Sequence, residues 1–200
     1  MIELKNVSFS YGKDAILQDF SHIFPTRGTV ALMGESGKGK TTLLRLLCGL
    51  EKPLSGQVIN GFTKTAYAFQ EPRLIPWLSC KENINFVLSD HEKEQNIAAS
   101  VLEKVELSHC EDMLPTALSG GMKQRLSLAR AMATGADLLL LDEPFTGLDQ
   151  ELKVRIAARI KAANPTGLTV LVTHDPADAA LLGARTLTFT PSGLVPYPPQ

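Results

Sequence analysis

The stretch TVALMGESGKGKTT, residues 29–42, decides the fold of this 200-residue chain. It opens with a short, mostly apolar run bounded by turn residues, which is typical of a buried parallel strand. Three glycines follow within six positions, and leucines then recur at helical spacing from Lys40 to Leu50, where Gly49 and Pro53 end the pattern. The sequence therefore predicts a strand, a glycine-rich loop and a helix in immediate succession.

The loop, residues 34–41, matches the pattern G-x-x-x-x-G-K-[ST]. Its glycines allow the backbone to curl so that successive N–H groups point at phosphate oxygens, and the following helix adds its positive end. A glycine-rich turn with an incidental lysine is the alternative, which the flanking strand and helix argue against. The pattern thus predicts a nucleotide and Mg²⁺ as ligands of the loop. The predicted nucleotide-binding residues here are Gly34, Glu35, Ser36, Gly37, Lys38, Gly39, Lys40, Thr41 and Thr42.

Three of these residues have distinct expected tasks. Lys40 is expected to reach the β- and γ-phosphates, and Thr41 to bind Mg²⁺ through its hydroxyl. Thr42 is expected to hydrogen-bond the α-phosphate.

A run of four leucines, residues 138–141, precedes Asp142 and Glu143. The run is too short for a helix and predicts a buried strand with two carboxylates at its C-terminal end. Open α/β sheets bind ligands beyond that end of their strands. An acidic loop after a core strand is the alternative, but the phosphate loop upstream favours a role for both acids in nucleotide chemistry.

A third segment, LSGGMKQR at residues 118–125, lies between these two motifs. Ser119 is a good N-cap, so simple capping of a helix is one interpretation. The N–H groups of the first helical turn, at Gly120 and Gly121, lack helical partners and also suit a phosphate. In content and order, the three segments resemble those of ABC-type ATPases, the motor subunits of ATP-driven transporters.

The resemblance implies an ATP hydrolase that works as a dimer, with two Mg-ATP held between two subunits. Ser119, Gly120 and Gly121 of one subunit would face the γ-phosphate held by the other. In the family, the acid matching Asp142 holds Mg²⁺ through water, and the acid matching Glu143 is the general base that polarises the attacking water. The implied metal site is Thr41, Gln70 and Asp142, and the implied catalytic residues are Lys40, Gln70, Glu143 and His174.

Four single residues take their expected roles from the resemblance. Gln70 resembles the glutamine that touches Mg²⁺ and senses the membrane partner, and His174 resembles the histidine that contacts the γ-phosphate and orients the catalytic water. Tyr11 resembles the aromatic residue that stacks on adenine. Without that context they would be a surface glutamine, a structural histidine and a packing tyrosine. Asp149 either lies in a loop that crosses the dimer interface, as in the family, or caps a helix.

The alternation of strands and helices predicts an α/β fold with a parallel sheet. The resemblance specifies a P-loop NTPase core with a mainly parallel sheet, an N-terminal antiparallel β subdomain and an inserted α-helical signature subdomain. We expect residues 1–200 to form a single domain, in which the core with the β subdomain spans 1–71 and 134–200. The helical subdomain spans about 72–133. We also expect a helix over 92–105, and an exposed strand with an irregular tail over 186–200.

Composition excludes some classes of partner. The chain has 20 Lys and Arg against 21 Asp and Glu, a net charge of −1, so we expect no nucleic-acid partner. Three scattered cysteines fit a reducing, cytoplasmic compartment. No run approaches the roughly 18 apolar residues of a membrane span. The resemblance then implies a cytoplasmic protein held peripherally on the inner face of the cell membrane by a permease.

A finer resemblance lies in FQEPRLIPW, residues 69–77, followed by Glu82-Asn83-Ile84. These residues look like those of the ATPases of nitrate, sulfonate, taurine and pyrimidine-precursor importers. The implied partners are a second ATPase subunit, transmembrane permease subunits and, indirectly, a solute-binding protein. Leu74, Ile75 and Trp77 either line a groove for the permease or pack the helical subdomain, and the sequence does not separate these two.

Three features depart from the family pattern: a short interval from Lys40 to Gln70, a cation at Lys38 where a small residue is usual, and residues 177–180, which lack an acidic-then-alanine pairing. Lys38 either attracts the triphosphate or, as we favour, points into solvent. The alternatives for the whole chain are a soluble ABC-type ATPase outside transport and an ATP-binding regulatory module with little turnover. The solute, the direction of transport and the identity of the second ATPase subunit stay open.

Overall fold

A computed structural model describes residues 1–197 of the chain, and positions 198–200 of the predicted tail lie outside the described residues. Two β-sheets and seven α-helices make up this part of the molecule. The smaller sheet is antiparallel, in the order β2 (Asp14–Phe24), β1 (Ile2–Tyr11) and β4 (Ser55–Asn60). The β1 register shifts next to Asn6, which has a positive φ of 47°, so a bulge interrupts the alternation of apolar and polar residues.

The larger sheet carries the phosphate loop. Its six strands are ordered β5–β6–β7–β3–β8–β9, and every neighbouring pair is parallel except β8 with β9. The strand bounds are β3 (Gly28–Met33), β5 (Thr65–Ala68), β6 (Leu138–Asp142), β7 (Leu168–Val172), β8 (Arg185–Thr190) and β9 (Gly193–Pro196). The predicted fold class, a mixed α/β protein with a mainly parallel sheet and an N-terminal antiparallel sheet, is confirmed.

Strand β6 is apolar on both faces, so its sequence does not alternate between apolar and polar residues. Leu139 and Leu141 pack into the core on one side of the sheet, and Leu138 and Leu140 pack into the core on the other side. Successive side chains of a strand point to opposite faces, and both faces are covered here. Every residue of β6 and of β7 is buried as a result.

The helices divide between these two cores. Helix α1 (Lys40–Leu47) packs on the side of the antiparallel sheet, and its leucines belong to that core. The opposite core contains residues of α2 (Cys80–Asn85), α4 (Ile97–Lys104), α5 (Gly120–Ala133), α6 (Gln150–Ala163) and α7 (Pro176–Leu181). The short helix α3 (Asp90–Glu94) has no buried residue. Within residues 1–197, no helix combines the length and the apolar content that a membrane crossing requires.

The single helix predicted over residues 92–105 is wrong, because two helices occupy this stretch. Helix α3 starts with a capping box between Ser89 and Glu92, and it ends before Asn96. Asn96 has a left-handed φ of 55°, a conformation that asparagine tolerates better than most residues and that does not continue a helix.

The exposed strand predicted within 186–200 is β9, at the edge of the sheet, whereas the preceding strand β8 is an inner strand that was not foreseen. Strand β8 pairs with β3 on one side and with β9 on the other, and Leu187 and Phe189 are buried. Threonines alternate with these two apolar residues, which is the pattern of a strand with one buried face. Helix α7 was not predicted from the sequence. Asp175 is its N-cap, and Pro176 is its first residue.

Asn83 is a buried side chain on which the loop before α2 depends. Its Nδ2 donates to the carbonyl oxygens of Ile75, Leu78 and Ser79, at 3.1, 2.9 and 3.0 Å. Its Oδ1 accepts a 2.8 Å hydrogen bond from the N–H of Ile75. One fully buried amide thus satisfies four hydrogen bonds of residues 75–79.

We predict that Asn83→Ala lowers the free energy of unfolding by about 2–4 kcal/mol, because buried backbone groups lose their partner. Urea denaturation followed by circular dichroism measures this change. The matched control is Asn85→Ala on the same helix, because Asn85 is only half-buried and its side chain makes no hydrogen bond within the described residues. Equal stabilities for the two variants would contradict the structural role of Asn83.

Candidate functional site

The site lies where four parallel strands end side by side. Leu32 of β3 is paired with Val172 of β7, and Asp142 of β6 is paired with the same valine from the other side. Ala68 of β5 is in register with Leu141. The residues that follow these strand ends come from distant parts of the chain, yet all emerge at one edge of the sheet, where open α/β sheets bind ligands.

A cavity of about 320 Å³ opens at this edge. It brings together ten of the predicted site residues and one that was not predicted, Ile16. The lining residues are Tyr11, Ile16, Ser36, Gly37, Gly39, Lys40, Thr41, Thr42, Gln70, Asp142 and Glu143. The structure does not place Gly34, Glu35 or Lys38 in this lining. Lys38 is exposed and forms a 3.3 Å ion pair with exposed Glu35, as expected for a solvent-facing side chain.

The glycines of the loop are required by its backbone. Gly34, Gly37 and Gly39 have φ values of 138°, 77° and 108°, which L-residues rarely adopt. At Gly39 a Cβ atom would also collide with the side chain of Ile16. Gly39 directly precedes α1 and provides no side-chain cap, so no side chain of the cap residue occupies the N–H groups of the first turn.

Lys40 is buried, and its ammonium group points back into the loop. Nζ donates to the carbonyl oxygens of Gly34 and Glu35, at 2.8 and 2.7 Å. Burial lowers the pKa of Lys40, whereas the nearby carboxylates of Glu143 and Asp142 act in the opposite direction. The loop therefore holds a desolvated cation on its inner side, where it can meet an anionic ligand.

Asp142 is buried, and only one of its two carboxylate oxygens has a hydrogen-bond partner within residues 1–197. Its Oδ2 accepts a 3.2 Å hydrogen bond from the hydroxyl of Tyr67, whereas its buried Oδ1 has no partner within residues 1–197. Burial raises the pKa of Asp142, and the hydroxyls of Thr41 and Tyr67 oppose that shift. Thr41, Gln70 and Asp142 line the same cavity and offer oxygen ligands, which Mg²⁺ prefers. An orphaned carboxylate oxygen in this donor set fits a bound Mg²⁺.

Glu143 and His174 are in direct contact. His174 Nδ1 lies 3.0 Å from both carboxylate oxygens of Glu143, and since an ionised carboxylate only accepts, the nitrogen is the donor. This interaction raises the pKa of His174. The side chain of His174 is 77% exposed and that of Glu143 is 14% exposed. The carboxylate is therefore enclosed, while the imidazole can still meet a ligand from solvent.

A second network fixes the loop that carries His174. Lys153 of α6 forms an ion pair with buried Asp178 at 2.8 Å and with Asp175 at 3.6 Å. The hydroxyl of Thr173 donates to Asp178 and accepts from the N–H of Asp175. Asp149 caps α6 by accepting a hydrogen bond from the N–H of Leu152, so the helix-capping alternative holds for the isolated chain.

Ser119, Gly120 and Gly121 lie outside the cavity. Ser119 caps α5 and accepts a 3.3 Å hydrogen bond from the N–H of Met122. Ser119 and Gly120 are exposed. A Cβ atom on Gly121 would lie 3.0 Å from the carbonyl oxygen of Gly147, so the start of α5 packs closely on the loop that follows Glu143. The structure thus separates this segment from the other predicted nucleotide-binding residues of the same chain.

Tyr11 stands at the rim of the cavity. It is partly exposed, it contacts Phe9 edge-to-face, and its hydroxyl donates a 3.0 Å hydrogen bond to Glu51. Arg45 donates to the same hydroxyl at 3.4 Å. The ring is therefore held at the rim by its polar end, and its apolar body remains available to a ligand.

Besides Ile16, two residues that contact the site, Tyr67 and Gln124, were given no role there from the sequence. Tyr67 bonds to Asp142, and the alignment of β5 with β6 would have revealed it once the strand order was known. Gln124 donates a 3.3 Å hydrogen bond from Nε2 to the main-chain carbonyl oxygen of Glu143. Gln124 lies five residues after Ser119, and nothing in the sequence indicated that its side chain is buried.

Comparisons with known proteins agree on the family. A family model described as ABC transporter matches residues 17–146. The aliphatic sulfonates import ATP-binding protein SsuB of Granulibacter bethesdensis is 40% identical, covering 94% of this chain and 79% of the relative. The protein of the same name from Corynebacterium glutamicum is 42% identical, over 89% of this chain and 75% of the relative.

A solved structure supports the same assignment. A dimeric, post-hydrolysis ATP-binding cassette bound to ADP and Pi superposes with a TM-score of 0.86 at 27% identity, over 97% of this chain and 96% of the other. The resemblance read from the three sequence segments is confirmed, and the chain belongs to the ABC transporter family as an ATP-binding, ATP-hydrolysing subunit.

Proposed function

We propose that this chain is the ATPase subunit of an importer for a small solute, and that two copies hold two Mg-ATP between them. One observation carries the proposal: Lys40, Asp142 and Glu143 line one cavity, whereas Ser119 and Gly120 are exposed elsewhere on the same chain. A nucleotide in the cavity therefore has no contact with the start of α5 unless a second copy supplies it.

In the proposed site each side chain has a defined task. The main-chain N–H groups of the loop and the Lys40 ammonium bind the β- and γ-phosphates. Tyr11 stacks on adenine at the rim. Thr41, Gln70 and Asp142 would hold Mg²⁺, which supplies charge neutralisation to the phosphates when bound. The partner's Ser119 and Gly121 would close the site over the γ-phosphate by hydroxyl and N–H donation.

Hydrolysis requires a water molecule activated next to the γ-phosphate. Glu143 accepts the proton of this water as general base, and it is enclosed enough to exclude competing solvent. His174 donates to Glu143 from Nδ1, and this bond fixes the orientation of the ring. The exposed side of the ring is then directed at the γ-phosphate and the water. Intact Lys40, Glu143 and His174 argue against a regulatory module without turnover.

The membrane partner is proposed to bind next to Gln70. Trp77 is 75% exposed and Phe86 is 68% exposed, whereas Leu74 packs against the core. Exposed apolar patches mark protein contact surfaces, and we infer that Trp77 and Phe86 belong to one such patch. A permease subunit that covers them would hold the chain on the cytoplasmic face of the membrane. Organic sulfonates are the first candidate solute, because relatives at about 40% identity are named for their import.

We predict that Glu143→Gln lowers the ATP hydrolysis rate by about 10²–10⁴-fold, because the general base is lost while the phosphate contacts remain. Phosphate release measures the rate, and size-exclusion chromatography with Mg-ATP should show a stable ATP-bound dimer. Glu94→Gln is the matched control, since Glu94 is exposed and does not line the cavity. Hydrolysis by the Glu143 variant at the parent rate would refute the assignment of the base.

The pKa of His174 provides a second test. Glu143 raises this pKa, so the imidazole of the parent stays protonated to higher pH than an unpaired histidine. In Glu143→Gln the titration midpoint should fall. NMR titration of the imidazole signals measures it, with His22, His91 and His109 as internal controls. An unchanged midpoint for His174 would mean that the pair does not form in solution.

Trp77→Ala tests the membrane partner. In the native host, the tagged parent should co-purify with a stoichiometric polytopic permease from gently solubilised membranes, and Trp77→Ala should recover much less of it because the contact area is lost. Leu54→Ala is the control, because Leu54 is a similarly exposed apolar residue next to the antiparallel sheet. Recovery of the parent only in the soluble fraction, without a permease, would favour an ABC-type ATPase outside transport.

A further inference from the structure

Gln124 is a buried polar residue of α5 without a place in the chemistry described above. Its side chain is 5% exposed and does not line the nucleotide cavity. Its Nε2 donates a 3.3 Å hydrogen bond to the main-chain carbonyl oxygen of Glu143. The buried amide thus forms a hydrogen bond with the backbone of the proposed general base.

The backbone of Glu143 needs such support. Its φ is 50°, in the left-handed region that a glutamate rarely adopts. The N–H of Glu143 donates to Val172 at 2.9 Å, and its carbonyl oxygen accepts from Thr146 at 3.3 Å as well as from Gln124. Unfavourable backbone conformations persist where surrounding contacts fix them, and they gather at functional sites. Gln124 is the only side chain among these three partners.

The start of α5 contacts the same loop at a second point. Gly121 packs so closely on Gly147 that a Cβ atom would lie 3.0 Å from the Gly147 carbonyl oxygen. Residues 143–147 are therefore held to α5 both at Glu143 and at Gly147. The first turn of this helix is also the segment proposed to face the nucleotide of the partner.

We propose that Gln124 is a positioning residue for ATP hydrolysis, which fixes the main chain of Glu143 to α5 and thereby aims its carboxylate at the cavity. This inference rests on the proposed function, in which Glu143 is the general base. A displacement of the carboxylate by a fraction of an ångström changes its alignment with the attacking water, whereas the phosphate contacts of Lys40 and the loop stay in place. Gln124 thus acts on turnover and leaves nucleotide affinity unaffected.

Gln124→Met is the test, because methionine has a similar length and no N–H donor. We expect kcat to fall by about 10- to 100-fold, as for small misplacements of a catalytic group, with KM for ATP within about twofold of the parent. Ser127→Ala is the matched control: Ser127 lies one turn along on the same helix, is buried, and its Oγ has no partner within the described residues. This control should retain the parent kcat, and melting temperatures identify any loss of fold.

Gln124→Glu tests the hydrogen bond itself, because its effect on kcat should depend on pH, whereas the effect of a purely structural role should not. A protonated carboxyl group keeps one O–H donor for the Glu143 carbonyl oxygen, and an ionised one keeps none. The kcat of this variant, relative to the parent, should therefore rise as the pH falls, whereas the ratio for Gln124→Met should stay flat. A flat ratio for both variants would overturn the hydrogen-bond explanation.

Hydrogen exchange separates this inference from the proposed function. In the Glu143→Gln background with Mg-ATP, Gln124→Met should accelerate amide exchange in residues 143–148, and Ser127→Ala should not. If the parent hydrolyses ATP and Gln124→Met keeps its kcat, the inference is wrong and the proposed function stands. If the parent does not hydrolyse ATP, the proposed function fails, and unchanged exchange in residues 143–148 would also remove the positioning role of Gln124.

Discussion

Hydrogen bonds between β5, β6, β7 and β3 hold the carboxyl ends of these four strands in one line. All four strands are parallel, and β6 and β7 are buried on both faces. If the register of β6 shifted by one residue, the leucines that now pack into one core would face the opposite core. The same slip would move Asp142 away from Tyr67 and Glu143 away from His174. The geometry of the site thus follows from the register of the sheet.

Lys40 and Asp142, two oppositely charged groups, are both buried at this edge of the sheet. Burial disfavours the charged forms of both Lys40 and Asp142, and their mutual attraction opposes that effect. The carbonyl oxygens of Gly34 and Glu35 satisfy Lys40, whereas one oxygen of Asp142 stays without a partner in residues 1–197. This unpartnered oxygen of Asp142 lies where the proposed cation and phosphates would be bound.

The sequence identified those site residues that belong to a short motif at or near the end of a strand. Asp142 ends β6 and Glu143 follows it directly, whereas Gly39, Lys40 and Thr41 follow β3 through the phosphate loop, so the strand ends and this loop bring them to the cavity. Tyr67 and Gln124 act on residues distant in sequence, so finding Tyr67 required the order of the strands and finding Gln124 required the packing of α5. The break at Asn96 was concealed by good helix formers on both sides, and the pairing of β8 depended on a tertiary neighbour.

Helix α5 contacts its surroundings through long side chains that reach main-chain oxygens. Gln124 donates to Glu143, Arg125 to Val105 and Glu106, and Arg130 to Pro72 and Arg73, and every acceptor is a backbone carbonyl. A carbonyl acceptor is present whatever residue occupies the position. The side chains of residues 72, 73, 105 and 106 can therefore be exchanged without removing the acceptors that attach α5 to those segments.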